Sequence, residues 1–341
     1  LYSKLLYLHQ KNHFHLASSK CHQEITDNLL KANNLNKYDL VVLLFCIIRY
    51  MELLVTLRNP RMLYKIQPYV QGIIVGSLFS LSYNYTLDEI ANINNYCKNN
   101  KIKIYIAIDA FISEDDKTNL YSYMEFIKDL NVDGIYFHDL AIYEVAGMYE
   151  IRDKLIYDGY SVMCNTLEAA YFLSRGIDGV VVSRELTFKE ANSIVTMIPG
   201  MIDMQIFGYL RMSYSRRKFI RNYMKEIGKP YIYEESKNLS LIEEMRNYKM
   251  PIVEDQYGTR IYTDFILESM KEIPYLRNNL RRGIIDTLFI DDENLILTIL
   301  REYQRVTVEN SEFLRQSIYK NFPNRYSSGY FYQKTNITKD E

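Results

Sequence analysis

His138 is followed by Asp139, and Arg184 by Glu185, so the chain offers two adjacent pairs whose side chains can do chemistry. A histidine beside a carboxylate, with a second carboxylate in reach, can exchange protons with a substrate. A guanidinium fork can hold a carboxylate through two parallel hydrogen bonds. His138, Asp139 and Glu185 are therefore the candidate catalytic residues, and Arg184, with Asp109 and Asn165, the candidate substrate-binding set. Arg184 and Glu185 can equally neutralise each other as a salt bridge at a rim. The sequence contains neither H-E-x-x-H nor G-x-S-x-G, and no catalytic cysteine motif is recognised, so the usual activated nucleophiles and zinc-bound water are without a motif.

Charge narrows the partners. Lys+Arg 41 against Asp+Glu 42 leaves a formal net charge of −1, so no global field marks a polyanion binder. Any basic site must be local. The densest is Arg211, Arg216, Arg217, Lys218, Arg221, Lys225 and Lys229, seven cations in nineteen residues interleaved with Tyr209, Tyr214 and Tyr223. Cations for phosphates and aromatic faces for unpaired bases suit RNA, and Arg211, Arg216, Arg217, Lys218 and Arg221 are the candidate RNA contacts. The competing reading is a solvated helix face, with 217, 221 and 225 in one stripe that meets water or the acidic pair Glu234-Glu235.

Cys21, Cys46, Cys97 and Cys164 are scattered with no C-x-x-C, which points away from disulfides and metal knuckles and towards a reducing cytoplasm. Four of the five histidines, His9, His13, His15 and His22, fall in residues 1–50 without a spacing that would make a metal site. The apolar run 40–48 is well short of the ~20 residues a membrane span needs, and no signal-peptide pattern is recognised. Residues 1–50 read as an extension, with Met51 the expected natural start.

The elements that must position these residues follow from periodicity. Short β-branched runs alternate with amphipathic stretches of helical length, the pattern of parallel strands with helical crossovers. Strands are expected at 52–56, 72–76, 102–109, 134–138, 161–165, 179–183, 202–207 and 285–290. Helices are expected near 60–70, 87–99, 117–130, 142–157, 167–175, 187–197 and 292–321. The segments NVDG at 131–134 and RGIDG at 175–179 place a glycine where a helix ends and a buried strand begins. Eight such units predict a (β/α)8 TIM-like barrel. Its first part spans 51–208, a small basic α+β cap is inserted over 209–284 with a hairpin near 251–263, and 285–335 supplies the last strand and C-terminal helix. Barrel chemistry sits where the strands end, which is where this register puts Thr56, Ser77, Asp109, His138, Asp139, Asn165, Arg184, Glu185 and Asp291. Arg281 and Arg282 are expected to complement a helix dipole at its carboxyl end.

The segment VVSRELTFKE at 181–190 resembles the S-R-E-L signature of the collagenase-like peptidase family U32. MELLV at 51–55, NVDGIYFHD at 131–139, residues 202–223, PIVEDQYGT at 251–259 and the terminal SGYF at 328–331 agree with that family in order and spacing. The resemblance covers about residues 51–335 and is nearest to the short subgroup of low-GC Gram-positive bacteria. It implies a peptidase label on one side. On the other it implies a part in prephenate-dependent hydroxylation of the tRNA wobble uridine, beside a cysteine-bearing paralogue. Hydroxylating relatives hold an iron–sulfur cluster on four cysteines. Here the family's usual His stands as Phe207 and two of its Cys positions as Arg211 and Lys218, so no [4Fe–4S] cluster and no other cofactor is expected. The expected partners are tRNA and the paralogue, with no membrane. The expected function is assistance to tRNA hydroxylation, the alternatives being a peptidase and a non-catalytic binding barrel.

Overall fold

The alternation of strand and helix closes on itself in the computed structural model, which describes residues 51–82, 84–234, 236–244 and 248–333. The histidines, Cys21, Cys46 and the apolar run of residues 1–50 lie outside the described residues, as does Glu235. Seven strands follow in order: β1 (Glu52–Thr56), β2 (Gly72–Gly76), β3 (Lys103–Ile108), β4 (Gly134–Phe137), β5 (Leu155–Asp158), β6 (Gly179–Val181) and β7 (Ile202–Ser215). Then come β8 (Leu239–Ile242), β9 (Lys249–Asp255), β10 (Gly258–Glu268), β11 (Arg282–Ile285) and β12 (Tyr326–Ser327). β1 to β7 pair with their neighbours in parallel, and β11 pairs in parallel with both β7 and β1, so eight parallel strands form a closed (β/α)8 barrel. Closure leaves no open edge in that ring.

Side chains alternate across each strand, and the two faces pack differently. Leu54, Ile74, Tyr105, Tyr136, Ile156, Val181 and Ile284 form one buried cluster, the barrel interior, while Leu53, Val55, Ile73, Val75, Ile104 and Ile106 belong to the larger cluster beneath the helices. The helices start where the sequence supplies caps. Thr86 with Glu89 and Thr187 with Glu190 make capping boxes, and Asp292 caps the helix Glu293–Arg305.

Four expectations shift. The fifth strand is Leu155–Asp158, not 161–165, because the preceding helix stops at Met148 and the chain turns through Glu150 at φ 59°. The eighth strand is Arg282–Ile285, three residues earlier than expected. The long C-terminal helix is two, Glu293–Arg305 and Ser311–Asn321, and Asn310 caps from between them through a bond to Arg305 O. Arg282 does not serve a helix dipole. It is buried in the barrel, where its Nη1 lies 3.2 Å from Asp203 Oδ2 and its guanidinium 4.6 Å over the Tyr105 ring. Tyr136 donates to the same Asp203 oxygen at 2.8 Å. Arg281 beside it bonds Asp178.

β7 is the longest strand. Its first half belongs to the barrel and its second half leaves it to pair with β10, which forms the expected hairpin with β9. The helix Phe219–Glu226, β8 and the hairpin lie in the insertion between β7 and β11. Two tyrosines fasten this cap to barrel loops: Tyr257 OH accepts the Phe79 N–H at 2.7 Å, and Tyr214 OH accepts the Phe111 N–H at 3.2 Å. Among the described residues no helix is long and apolar enough to cross a membrane.

Gly208 marks the exit of β7, at φ 116°, and a Cβ there would lie 2.3 Å from Asp286 O. Gly176 also has a positive φ, 82°, but nothing lies within 4 Å of its missing Cβ. Gly208→Ala is therefore expected to destabilise the chain by about 2–4 kcal/mol, from backbone strain plus a clash, and Gly176→Ala by only about 1 kcal/mol. Urea midpoints measured side by side check the ranking, and equal losses would contradict it.

Candidate functional site

The strands deliver a set of polar side chains to one end of the barrel. Thr56 ends β1, Asp109 follows β3, Asp158 ends β5, Gln205 lies on β7 and Asp286 follows β11. Together with Tyr160 and Arg184 they line a cavity of about 60 Å³ that also touches the apolar side chains of Leu57, Ile74, Val75 and Ile284. An apolar wall with a few convergent polar groups is the usual make-up of a small-molecule site.

Its central contact is a forked ion pair. Arg184 Nη1 and Nη2 donate to the two oxygens of Asp158 at 2.7 and 2.8 Å, and Nε donates to Gln205 at 2.8 Å. Burial works against the Asp158 charge. The charge and hydrogen bonds of Arg184, the Tyr160 N–H and the more distant Arg211 outweigh it and hold the carboxyl below its ordinary range. The turn after β5 places Tyr160 at φ 56°, and its hydroxyl donates to Asp109 Oδ2 at 2.8 Å. Burial pushes that phenol well above its usual value. The guanidiniums of Arg184 and Arg211 lie 4.3 and 3.1 Å from the Tyr160 ring centre.

Asp286 differs from the other two aspartates. Thr56 Oγ1 and the Leu288 N–H both donate to its Oδ1, at 3.0 Å each. Burial raises its carboxyl above the usual range, with Leu288, Thr56 and Arg184 offsetting only part of the effect. Among the described residues its Oδ2 has no hydrogen-bond partner.

The candidates named from the sequence fall into three groups. Asp109 and Arg184 do meet at the cavity, but Arg184 is forked onto Asp158 rather than onto Glu185, which is exposed. His138 stands beside it, with Nδ1 2.9 Å from Asp158 O and its ring packed against Phe111 and Tyr160. Asp139 is a cap instead, accepting the N–H groups of Ala141 and Ile112. Asn165 is exposed and caps the helix Thr166–Ser174, since β5 ends seven residues before it. His138, Asp139 and Glu185 thus do not converge as a catalytic trio. Ser77 is buried and donates to Tyr85 O, and Asp291 pairs with Arg58.

The basic segment divides as well. Arg211 lies at the barrel mouth with its side chain only 6% exposed and Nη1 3.4 Å from Asp109, so it is no surface RNA contact. Lys218 and Arg221 share Glu234, at 2.7 and 2.9 Å. Arg216 and Arg217 are exposed. Phe207 is buried against Tyr303, Cys97 is buried and Cys164 exposed. Burial pushes the Cys97 thiol up to about 12. Among the described residues no group of three or more His, Cys, Asp or Glu is arranged to hold a metal ion.

Sequence reasoning missed Asp158, Tyr160, Gln205 and Asp286. The first two sit in LIYDGY at 155–160, where three apolar residues followed by Asp-Gly read as a strand and its turn. GIID at 283–286 repeats the pattern of GIYF at 134–137, a glycine leading into a buried strand.

Three comparisons bear on this site. The model of peptidase family U32 matches residues 77–341. tRNA hydroxylation protein P2 of Bacillus subtilis is 28% identical over 177 residues, covering 50% of this chain and 57% of the relative. tRNA hydroxylation protein P1 of the same organism is 26% identical over 141 residues, covering 41% of this chain and 33% of that protein. The chain thus spans between about a third and somewhat over half of the length of these curated relatives. Among solved structures, the U32 peptidase Mk0906 aligns at 15% identity and a TM-score of 0.45, over 70% of this chain and 93% of that one. With the family model covering most of the chain on a closed parallel barrel, this protein belongs to peptidase family U32.

Proposed function

We propose that this chain assists hydroxylation of the tRNA wobble uridine in the cytoplasm, alongside a cysteine-bearing member of its family. The observation that carries the reading is the similarity to two relatives named as tRNA hydroxylation proteins. The cap adds to it. With Lys218 and Arg221 occupied by Glu234 and Arg211 occupied by the barrel, phosphate contact falls to the exposed Arg216, Arg217, Lys225 and Lys229, and Tyr223, 61% exposed, offers a face for an unpaired base. The peptidase label finds less support in the geometry. His138 spends Nδ1 on a backbone carbonyl, Asp139 caps a helix, and the exposed Cys164 donates its thiol to Ser161 O.

Two measurements test the reading. Nucleosides from bulk tRNA of a deletion strain should lack the hydroxylated uridine, and the intact gene should restore it; unchanged hydroxylation in the deletion strain would overturn the role. Binding of tRNA should weaken with salt, and replacing Arg216 and Arg217 together by Gln should flatten the logarithmic slope by about 1.4–1.8, roughly 0.7–0.9 per lost phosphate contact. The same slope in both proteins would remove these residues from the interface.

The mouth has its own test. Arg184→Lys keeps the charge but loses the fork onto Asp158 and the bond to Gln205. It is expected to cost about 2–4 kcal/mol in urea unfolding, less than the roughly 3–5 kcal/mol of removing one partner of a buried pair because the charge stays, and to lower restoration of the modified nucleoside. Full stability with full restoration would show the fork to be dispensable.

A further inference from the structure

We infer that Asp286 is the proton-exchanging group of the barrel mouth, and that the cavity beside it takes a small uncharged molecule bearing a hydroxyl, which donates to Asp286 Oδ2.

The polar groups lining the cavity are largely committed elsewhere. Arg184 uses all three of its nitrogens on Asp158 and Gln205. Asp109 accepts from the Leu81 N–H and the Tyr160 hydroxyl. Gln205 accepts from Arg184 and donates to Tyr209 O. Asp286 alone among the three aspartates takes both of its hydrogen bonds on one oxygen and turns a carboxylate oxygen without a partner to a cavity it lines. A half-buried carboxylate with an open oxygen can accept a hydroxyl or a proton brought to it.

Charge decides the class of ligand. When all are ionised, Asp109, Asp158 and Asp286 set three negative charges against the two positive charges of Arg184 and Arg211, so an anion entering the cavity meets a net negative wall. The two-pronged face of Arg184 that would grip a carboxylate is already filled by Asp158. An uncharged molecule meets no such repulsion, and its carbon face finds Leu57, Ile74 and Val75. The groups that set the Asp286 equilibrium are Arg184, Asp109 and Tyr262, with Thr56 and the Leu288 N–H as its direct donors. The inference stands on this geometry and goes beyond the RNA reading, so a negative tRNA result leaves it in place.

The test uses the full chain. With carbon-13 in its aspartates, the carboxyl resonances that titrate above the ordinary aspartate value of about 4 should include, besides that of the buried Asp203, one that vanishes in Asp286→Asn. Asparagine keeps an Oδ1 for Thr56 and Leu288 and replaces only the open oxygen. Uridine and myo-inositol serve as neutral probes, malonate and inorganic phosphate as anions, and binding is read by ligand-observed NMR as pH is varied. A neutral probe should bind more tightly as pH rises through the Asp286 midpoint, because the ionised form accepts the hydroxyl. Asp286→Asn should bind about tenfold more weakly, the loss expected for a hydrogen bond to a charged group, and without the pH step. The exposed Asp115→Asn should change neither. A wild-type resonance set without the raised carboxyl that Asp286→Asn removes, binding of anions in preference to neutral probes, failure of both neutral probes to bind, or an unaltered pH profile in Asp286→Asn would each overturn the inference.

Discussion

The mouth of this barrel rests on the forked pair between Asp158 and Arg184. Two charges held at 2.7 and 2.8 Å and shielded from water are costly to leave unpaired, so each fixes the other. The consequences spread along the chain. Asp158 takes the Tyr160 N–H on one of the oxygens that receive Arg184, which helps hold the β5 turn with a tyrosine at positive φ. That turn presents the Tyr160 ring to two guanidiniums and its hydroxyl to Asp109. The Asp158 carbonyl meets His138. One ion pair thereby orders side chains that follow β3, β4, β5 and β6, and it occupies the forked face with which Arg184 would clamp a carboxylate.

A second buried charge lies deeper in the barrel. Arg282 and Asp203 sit among Tyr105 and Tyr136, where most barrels carry branched aliphatic layers. Burial raises the Asp203 carboxyl despite the neighbouring arginines. Arg282 also faces Asp178 and Glu52, at 3.4 and 3.5 Å, so its charge is shared among three carboxylates near the amino ends of the strands. These contacts tie β11 to both of its neighbours, β1 and β7, across the seam that closes the ring. The interior is thus polar near both ends, with largely apolar side chains between them and Tyr136 reaching from the cavity lining to Asp203.

Much of the fold was legible because it depends on local pattern. Glycines before buried strands and eight alternating repeats are enough to specify a parallel barrel, and the hairpin turn before Gly258 announces itself. The errors have physical causes. Residues 142–157 read as one helix because the apolar Leu155-Ile-Tyr157 run continues the helical stretch before it, and this hid Asp158 and displaced Asn165 from strand end to helix cap. The partners of Arg184 and Arg211 were illegible for a different reason: adjacency in sequence suggested Glu185, whereas a strand end brings together residues 26 and 102 positions apart. Charge density over 211–229 is a sum over residues that the fold sends to different places.

That separation is the work of β7. Because one strand runs from the barrel wall into the cap, its residues change environment along its length: Gln205 lines the cavity, Arg211 is buried at the mouth, and Arg216, just past the strand's end, is exposed. The bend that redirects it is Gly208, packed against the backbone of Asp286, so the residue that aims the cap also fixes the floor on which the open carboxylate sits. A movement of the cap relative to the barrel would have to pass through this contact and through Tyr214 and Tyr257, which fasten the cap to the loops after β3 and β2. The exposed cations and the cavity are therefore mechanically joined. An RNA held on the cap would act on the same strand that sets the geometry around Asp286.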